Sequence, residues 1–274
     1  MKVVLFCGGL GLRLRNQNGI PKPMVEIGYR PILWHMMKYY AHFGHKEFIL
    51  CLGYRADTIK NYFLSYNECL SNDFVLSDGG RSVELLGSDI DDWSITFVDT
   101  GYSSTIGGRL KAVEEHLAGE EVFLANYSDN LTDFHLPLLI DEFLSSDRVC
   151  SFLCVKPTQS FHVVHPGEDG EVREIKEIAR SGLWINGGYF VLRRQIFDYM
   201  RDGEELVHEP FQRLINEGKL ASHLYEGFWA CMDTFKDKQN LDRMYSTGEA
   251  PWEVWKSSAA GTGDRTPAAV PGSP

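Results

Sequence analysis

Glycines, arginines and a lysine near the amino terminus could together bind a row of phosphates. The stretch GGLGLRLR covers residues 8–15, and Lys22 follows between two prolines in PKPM. Glycines let backbone N–H groups approach phosphate oxygens closely, an arginine offers a bidentate guanidinium, and a lysine adds a point charge. We therefore interpret this segment as a candidate binding site for a nucleoside triphosphate, formed by Gly8, Gly9, Gly11, Arg13 and Lys22.

Two better-known glycine motifs fit this segment poorly. A dinucleotide fingerprint needs a third glycine where this chain has Leu14, and an acidic residue after the second strand, where it has Gly53 and Tyr54. A Walker-type loop is absent, because no glycine precedes a Lys-Ser or Lys-Thr pair. A tight turn with solvated arginines is the remaining alternative, and it leaves Lys22 unexplained.

The elements that position this site follow a strand, helix, strand order. Apolar, unalternating runs predict buried parallel strands at 2–7, 48–53, 95–99 and 122–126. A helix is predicted from Pro31 to Gly44, and a second one carries the stripe Ile106, Leu110, Val113 and Leu117. This order is typical of a doubly wound, mostly parallel α/β fold, in which ligands bind at the carboxyl ends of the strands.

The second half of the chain has a different pattern of predicted strands and turns. Strands predicted at 150–155, 172–178 and 185–192, separated by turns, indicate a smaller lobe with a mixed sheet, where we place the acceptor substrate. We predict one domain over 1–256, with a nucleotide-binding part at 1–149 and an acceptor-binding part at 150–256. Residues 257–274 are small, polar and proline-bearing, which predicts a disordered tail.

Composition excludes several classes of function. The formal charge is −11, from 27 basic and 38 acidic residues, which argues against a nucleic-acid partner. The sequence has no apolar run long enough to span a membrane, and its six cysteines lack the spacing of a disulfide framework or a zinc site. We expect a cytoplasmic protein.

The motifs together resemble one enzyme family. GGLGLRL followed by PKPMVEIG is similar to the signature of the sugar-1-phosphate nucleotidylyltransferases. VEIGYRPILW, VDTGYSSTIGGRLKAV, WINGGYFVL, GFWACMDT and APWEVW resemble, in this order, the bacterial glucose-1-phosphate cytidylyltransferases within that family. The resemblance runs from residue 1 to about 256.

The resemblance implies roles for individual residues. Arg13 and Lys22 would be catalytic, and the triphosphate would lie on Gly8, Gly9, Gly11, Leu12 and Arg13. Asp129 and Asp233 would hold Mg²⁺, with Asp133 as a weaker third candidate. Base and ribose would face Thr100, Ser104, Gly108 and Arg109, which favours CTP; the alternative for this stretch is an ordinary capped helix start. The acceptor would meet Asn186 and Gly187.

The chain departs from the family pattern in four respects. Leu12 replaces a common threonine, and Ser128 and Asn130 flank the metal aspartate where the family has glycine. The family lysine that meets the sugar phosphate falls on Glu177 or Ile178, so Lys176 or Arg180 would have to supply the charge. His162 stands in place of a small residue at the acceptor pocket. A zinc site formed by His162 and His165 is disfavoured, because their spacing puts the two side chains on opposite faces of a strand.

The sequence therefore predicts transfer of CMP from CTP to a sugar 1-phosphate, with release of pyrophosphate. Two alternatives stay open: the same chemistry on a phosphonate, cyclitol phosphate or unusual sugar phosphate, and a non-catalytic CTP-binding regulator. The family resemblance also implies a homo-oligomer. The aromatic pairs Tyr39/Tyr40 and Trp252/Trp255 could form its contacts, or could pack in the core of their own chain.

Overall fold

The computed structural model describes residues 1–9 and 19–257. The predicted phosphate-binding residues Gly11, Leu12 and Arg13 lie outside the described residues, and so does the predicted tail except for Ser257, which ends a short helix.

The described residues form strands and helices, which alternate through the first half of the chain. The strands are β1 (Val3–Phe6), β2 (Glu26–Ile27), β3 (Arg30–Pro31), β4 (Glu47–Leu52), β5 (Phe74–Ser77), β6 (Ser82–Leu85), β7 (Ser94–Asp99), β8 (Val122–Asn126), β9 (Asn130–Thr132), β10 (Cys150–Val155), β11 (His162–Pro166), β12 (Val172–Glu177), β13 (Ile185–Arg193), β14 (Leu220–Tyr225) and β15 (Trp229–Cys231). The helices are α1 (Ile32–His42), α2 (Ala56–Leu64), α3 (Ile106–Ala112), α4 (Leu136–Leu144), α5 (Glu209–Asn216), α6 (Phe235–Ser246) and α7 (Val254–Ser257). In the described part, no helix combines the length and apolarity needed to cross a membrane.

One seven-stranded sheet organises the molecule, in the order β14-β10-β13-β8-β1-β4-β7. Strands β8, β1, β4 and β7 are parallel to one another, and β10 is parallel to β14. Strand β13 runs antiparallel to both neighbours, β8 and β10. All the other strands of this sheet therefore end at one edge, and β13 begins there.

The predicted strands of the second half do not build a sheet of their own. Because β13 pairs with β8 on one side and β10 on the other, β10, β13 and β14 extend the sheet of the first half. Only β11 and β12 form a separate two-stranded hairpin. This corrects the expectation of a distinct mixed sheet, since the turn patterns that predicted it mark strand ends but not strand partners.

Two apolar layers cover the two faces of the sheet. Helices α1, α4 and α6 pack on one face with the carboxyl-terminal Trp252, and α3 and α5 pack on the other. The predicted stripe on the second face is buried, although its helix divides into α3 and a 3-10 turn, Glu114–Leu117. Both tyrosines of the Tyr39/Tyr40 pair and Trp252 are at most 1% exposed, so they pack in their own core.

Candidate active site

Lys22 bridges two aspartates that are distant in sequence. It opens a short 3-10 turn, Lys22–Met24, entered from the extended Pro21. Its Nζ donates hydrogen bonds to Asp129 Oδ2 at 2.6 Å and to Asp233 Oδ1 at 2.5 Å. The structure thus brings together the predicted catalytic lysine and both predicted metal ligands.

Strand pairing explains how the two aspartates meet. Asp129 lies just beyond the carboxyl end of β8, and Asp233 lies just beyond β15. Strand β15 pairs with β9, which begins next to Asp129, and Cys231 stands opposite Asn130. The Met232 N–H also donates to the Asp129 carbonyl at 2.9 Å, so the backbone holds both carboxylates at the sheet edge.

The bridged group carries a net negative charge. Burial raises the pKa of Asp129, and the charge of Asp233 adds to that rise, so the ammonium of Lys22 only partly offsets them. Burial alone would lower the pKa of Lys22, but the charges and hydrogen bonds of the two carboxylates outweigh it and the pKa is raised. The lysine therefore stays protonated, and the group can accept further positive charge.

The donor set fits a divalent cation that prefers oxygen. Two carboxylate oxygens lie within 2.6 Å of one nitrogen, and Mg²⁺ commonly uses one or two carboxylates and keeps several waters. Asn130, beside Asp129, is 2% exposed, and its Oδ1 is buried with no hydrogen-bond partner in the described part. An unpaired buried oxygen there is a further donor for a cation or its water.

The other residues considered as metal ligands either make hydrogen bonds elsewhere or do not lie together on one face. Asp133 accepts a hydrogen bond from the Tyr225 hydroxyl and another from the Phe228 N–H at 3.0 Å. His162 and His165 lie three residues apart on β11, as expected for opposite faces. Among residues 1–9 and 19–257, no cluster of three or more His, Cys, Asp or Glu side chains could hold a metal ion.

The two described glycines of the phosphate-binding segment differ in their surroundings. A Cβ added to Gly8 would lie 1.9 Å from the Arg109 guanidinium, whereas one added to Gly9 would meet nothing within 4 Å. Gly9 is exposed at the end of β1. Close approach to a ligand is therefore available at Gly9, while Gly8 makes room for a buried side chain.

Arg109 ties three strand ends together from inside. Its guanidinium donates to the carbonyls of Gly8 at 2.9 Å, Leu52 at 3.1 Å and Gly101 at 3.0 Å, and to Thr100 Oγ1 at 2.8 Å. Arg109 is 3% exposed and Thr100 is 7% exposed. This geometry does not support the direct nucleotide contact predicted for either residue, because α3 turns the arginine towards the backbone carbonyls.

The loop that begins α3 is a capped helix start. Thr105 Oγ1 accepts a hydrogen bond from the Gly108 N–H at 3.0 Å, and Ser104 Oγ donates to the Thr100 carbonyl at 2.5 Å. The alternative drawn from sequence, a threonine cap, is therefore present. Ser104 and Gly108 shape this loop, and their contact with a base stays a prediction.

Three predicted acceptor residues lie on the exposed hairpin. His162 stands opposite Glu177 in the β11–β12 register, and Lys176 is the neighbour of Glu177. All three are exposed, and Lys176 Nζ lies 2.7 Å from Glu174 Oε1. Ile178 begins a 3-10 turn after the strand, so it does not continue the strand face of Lys176 as the sequence predicted.

Asn186 and Gly187 start β13 at the same edge as Asp129. Asn186 Nδ2 donates to the Tyr127 hydroxyl at 3.1 Å, and its Oδ1 accepts from the Gly188 N–H at 2.8 Å. The Gly187 carbonyl accepts from Trp229 Nε1 at 2.8 Å. Local hydrogen bonds thus hold the predicted sugar-binding turn next to the end of β8.

Sequence reasoning overlooked two polar residues of this edge. The family pattern explains Asn130 only as a replacement for glycine at a turn, although its place next to Asp129 is a signal that it faces the same site. Lys156 follows β10 directly, and its Nζ lies 3.6 Å from the centroid of the Trp184 ring. Its position just after the predicted strand 150–155 is a signal that could have identified it.

Comparisons with known proteins agree with this geometry. A relative from Salmonella typhi, "Glucose-1-phosphate cytidylyltransferase", is 38% identical over 259 residues, covering 93% of this chain and 100% of the relative. "Probable glucose-1-phosphate cytidylyltransferase" from Bacillus subtilis is 37% identical over 258 residues, with the same coverages, 93% and 100%. A scan against protein-family models finds no match.

Solved structures share the fold. The crystal structure of HddC from Yersinia pseudotuberculosis superposes with a TM-score of 0.65 at 20% identity, covering 89% of this chain and 99% of that one. At this identity the likeness extends to the fold, a doubly wound α/β sheet, and not to the substrate.

Proposed function

The chain belongs to the glucose-1-phosphate cytidylyltransferase family, and from that premise we propose that it transfers CMP from CTP to a sugar 1-phosphate and releases pyrophosphate. A phosphate oxygen of the acceptor attacks the α-phosphorus of CTP, a new P–O bond forms, and the bond to the leaving pyrophosphate breaks. Such a displacement needs positioning and charge neutralisation more than covalent catalysis.

The bridging of Asp129 and Asp233 by Lys22 is the observation that carries this proposal. The lysine is 107 residues from one carboxylate and 211 from the other, yet all three charges meet at the carboxyl edge of the sheet. A non-catalytic CTP-binding protein would have no need for this arrangement. We propose that Lys22 neutralises the negative charge that develops around the α-phosphate. The two aspartates would hold a Mg²⁺ ion, which would neutralise further phosphate charge.

The remaining assignments follow the sheet edge. Gly9 and the segment after it would receive the triphosphate, with Arg13 on the pyrophosphate. The capped loop with Ser104 would face the base, and Asn186 and Gly187 would face the acceptor. Arg109 supports these loops from below by its four hydrogen bonds.

We also propose a cytoplasmic homo-oligomer. All six cysteines are free thiols, as is usual in a reducing compartment. The β5–β6 hairpin exposes a face formed by Phe74, Leu76, Val83 and Leu85, which are 39–59% exposed. An apolar hairpin face of this kind is a surface that a second copy of the chain could cover.

A direct assay tests the reaction. Purified protein is incubated with CTP, Mg²⁺ and glucose 1-phosphate, and pyrophosphate and the nucleotide sugar are measured. UTP, dTTP and GTP are compared with CTP, and a panel of sugar phosphates, a cyclitol phosphate and a phosphonate with glucose 1-phosphate. We expect turnover with CTP, and its loss in Asp129→Asn but not in the surface variant Asp92→Asn. Absence of pyrophosphate with every combination would refute the proposal.

A further inference from the structure

The acceptor half of the site needs a cation of its own. If the proposed function holds, the acceptor brings a phosphate to an edge where Lys22 already faces two carboxylates. In the proposed function, Lys22 and the Mg²⁺ ion neutralise charge around the triphosphate. The acceptor phosphate adds negative charge beside them, so a further cation would favour its binding. Three cations of the second half are candidates: Lys156 directly after β10, Lys176 within β12, and Arg180 at the end of the 3-10 turn that follows β12.

Two of these cations are poorly placed for the task. Lys176 pairs with Glu174 at 2.7 Å, and Arg180 pairs with Glu177 at 3.4 Å. Both lie on or just after the exposed hairpin, and the Arg180 side chain is 82% exposed. Each is therefore a solvated cation that lies outside the central sheet.

Lys156 is located at the edge of the central sheet. Strand β10 is parallel to β8, because both pair antiparallel with β13, so Lys156 and Asp129 follow strand ends at the same edge. Two strand spacings separate β10 from β8 across the sheet, roughly 10 Å. Strand β10 extends further along β13 than β8 does, since Val155 lies opposite Ile185 and Asn126 opposite Tyr189, and Asp129 follows three residues after Asn126. A lysine side chain and a phosphate together span a gap of this size.

Trp184 contacts the Lys156 ammonium from the β13 side of β10. Cys154 pairs with Asn186 in the antiparallel β10–β13 ladder. Lys156 comes two residues after Cys154 and Trp184 two residues before Asn186, so both continue the same face of the sheet. The Lys156 ammonium lies 3.6 Å from the Trp184 ring centroid, and the Asn186 amide reaches Tyr127 at the end of β8. Side chains at and just before the start of β13 thus contact both Lys156 after β10 and Tyr127 after β8.

The ammonium remains available for an anion. The Lys156 side chain is 30% exposed, and its carboxylate neighbour, Glu226, is 3.6 Å away and 72% exposed. A pair this long with a solvated partner contributes little free energy, and the indole face satisfies the ammonium without neutralising it. A phosphate can therefore compete for Lys156.

We propose that Lys156 binds the phosphate of the acceptor and that Trp184 is the residue that positions it. The acceptor class is a phosphorylated sugar whose phosphate lies between Lys156 and the Lys22 group. Substrate selection in this chain then depends on the loop after β10 and the residue before β13, instead of the hairpin.

Kinetics of Lys156→Met, Lys156→Arg and Lys219→Met test this proposal. Lys219 is the matched control, since its side chain is also 30% exposed and pairs with Asp147 at the opposite edge of the sheet. In Lys156→Met we expect the KM for glucose 1-phosphate to rise at least tenfold while the KM for CTP changes less than twofold. Lys156→Arg should recover part of the loss, and Lys219→Met should match the wild type.

Binding without turnover separates this proposal from the proposed function. Titration calorimetry with glucose 1-phosphate and a non-hydrolysable CTP analogue should show the same tenfold weakening in Lys156→Met, and tryptophan fluorescence should report acceptor binding in the wild type but not in Trp184→Phe. An unchanged acceptor affinity in Lys156→Met, or a loss seen in Lys176→Met instead, overturns the assignment of Lys156 alone. A wild type that binds neither ligand overturns both proposals.

Discussion

At the scale of single residues, the Lys22 ammonium both joins and competes for the two site carboxylates. It is hydrogen-bonded to Asp129 and Asp233, the same oxygen donors that we propose for Mg²⁺. A divalent cation can use both carboxylates fully only if the ammonium moves away, and the triphosphate offers it a new partner. Cation and nucleotide binding should therefore strengthen one another.

Replacing Lys22 with methionine should separate these two effects. Without the competing ammonium, Mn²⁺ affinity in the absence of nucleotide should rise about tenfold, since two carboxylates are then unneutralised. Turnover should fall on the order of 100-fold or more, because a charge at the reacting phosphate is lost. Electron paramagnetic resonance of free Mn²⁺ measures the first effect; Lys46→Met, which removes a surface pair with Asp92, is the control. Unchanged or weaker Mn²⁺ binding would contradict the competition.

Gly8 and Gly9 should respond differently to the same substitution. Gly8→Ala places a methyl group against the Arg109 guanidinium, which four hydrogen bonds hold in place, so unfolding free energy should fall by about 1–3 kcal/mol. Gly9→Ala meets no atom and should leave stability near the wild type. Urea unfolding of both variants measures the difference; equal stabilities would mean that the arginine moves freely.

At the scale of elements, helix α1 is joined to the carboxyl-terminal segment through a buried histidine. His35 is 1% exposed; its Nε2 lies 3.1 Å from the Ile27 carbonyl, and its Nδ1 accepts from Trp252 Nε1 at 3.3 Å. Both contacts fit the neutral ring with its proton on Nε2. Burial, with the charges of Lys256 and Arg30, lowers the pKa of His35 to about 4.

This histidine should make the fold sensitive to acid. Its pKa is lower in the folded chain than in the unfolded one, so the unfolded state binds more protons and stability falls as pH drops from about 6.5 towards 4. The loss is on the order of 3 kcal/mol at the acid end of this window and absent above it. Urea unfolding between pH 7.5 and 4.5 should show a flatter dependence in His35→Gln; parallel curves would rule out this role.

At the scale of the whole molecule, the β5–β6 hairpin is the most exposed apolar element of the first half. The register places Leu76 opposite Val83 and Phe74 opposite Leu85, which puts all four on one face. Asp89, close after the hairpin, is anchored by Lys38 at 3.1 Å and Tyr66 at 3.0 Å. These bonds fix the segment that follows the hairpin, whereas the four apolar side chains of the hairpin face stay exposed.

Charge on that face should dissociate the proposed oligomer. Light scattering after size-exclusion chromatography should give more than one chain per particle for the wild type and a smaller particle for Leu76→Glu with Val83→Lys. Ser82→Glu, on the opposite face of the hairpin, is the control and should keep the wild-type mass. An oligomer that survives the double substitution would place its contacts elsewhere.

Much of this protein follows from its sequence alone. Apolar runs predicted the strands β1, β4, β7 and β8, and segments separated by turns predicted β10, β12 and β13, all to within one or two residues. The order of strands and helices predicted the doubly wound sheet. Glycines and a lysine after the first strand predicted a phosphate site, because strand ends carry ligands in such sheets, and the family resemblance added Asp129 and Asp233 to it. These are local signals, since each depends on hydrogen bonding and burial within a few residues.

Only the tertiary structure decided which side chains meet. It turned Arg109 inward, assigned Gly8 to packing, joined β13 to both halves of the sheet, and brought Lys156 to Trp184. The choice of strand partners depends on contacts between residues that are distant in sequence. The direction in which a helix points a polar side chain, such as Arg109, depends on such contacts as well. Local sequence periodicity contains no information about those contacts. The type of reaction could therefore be predicted from the sequence, whereas the geometry of the site could not.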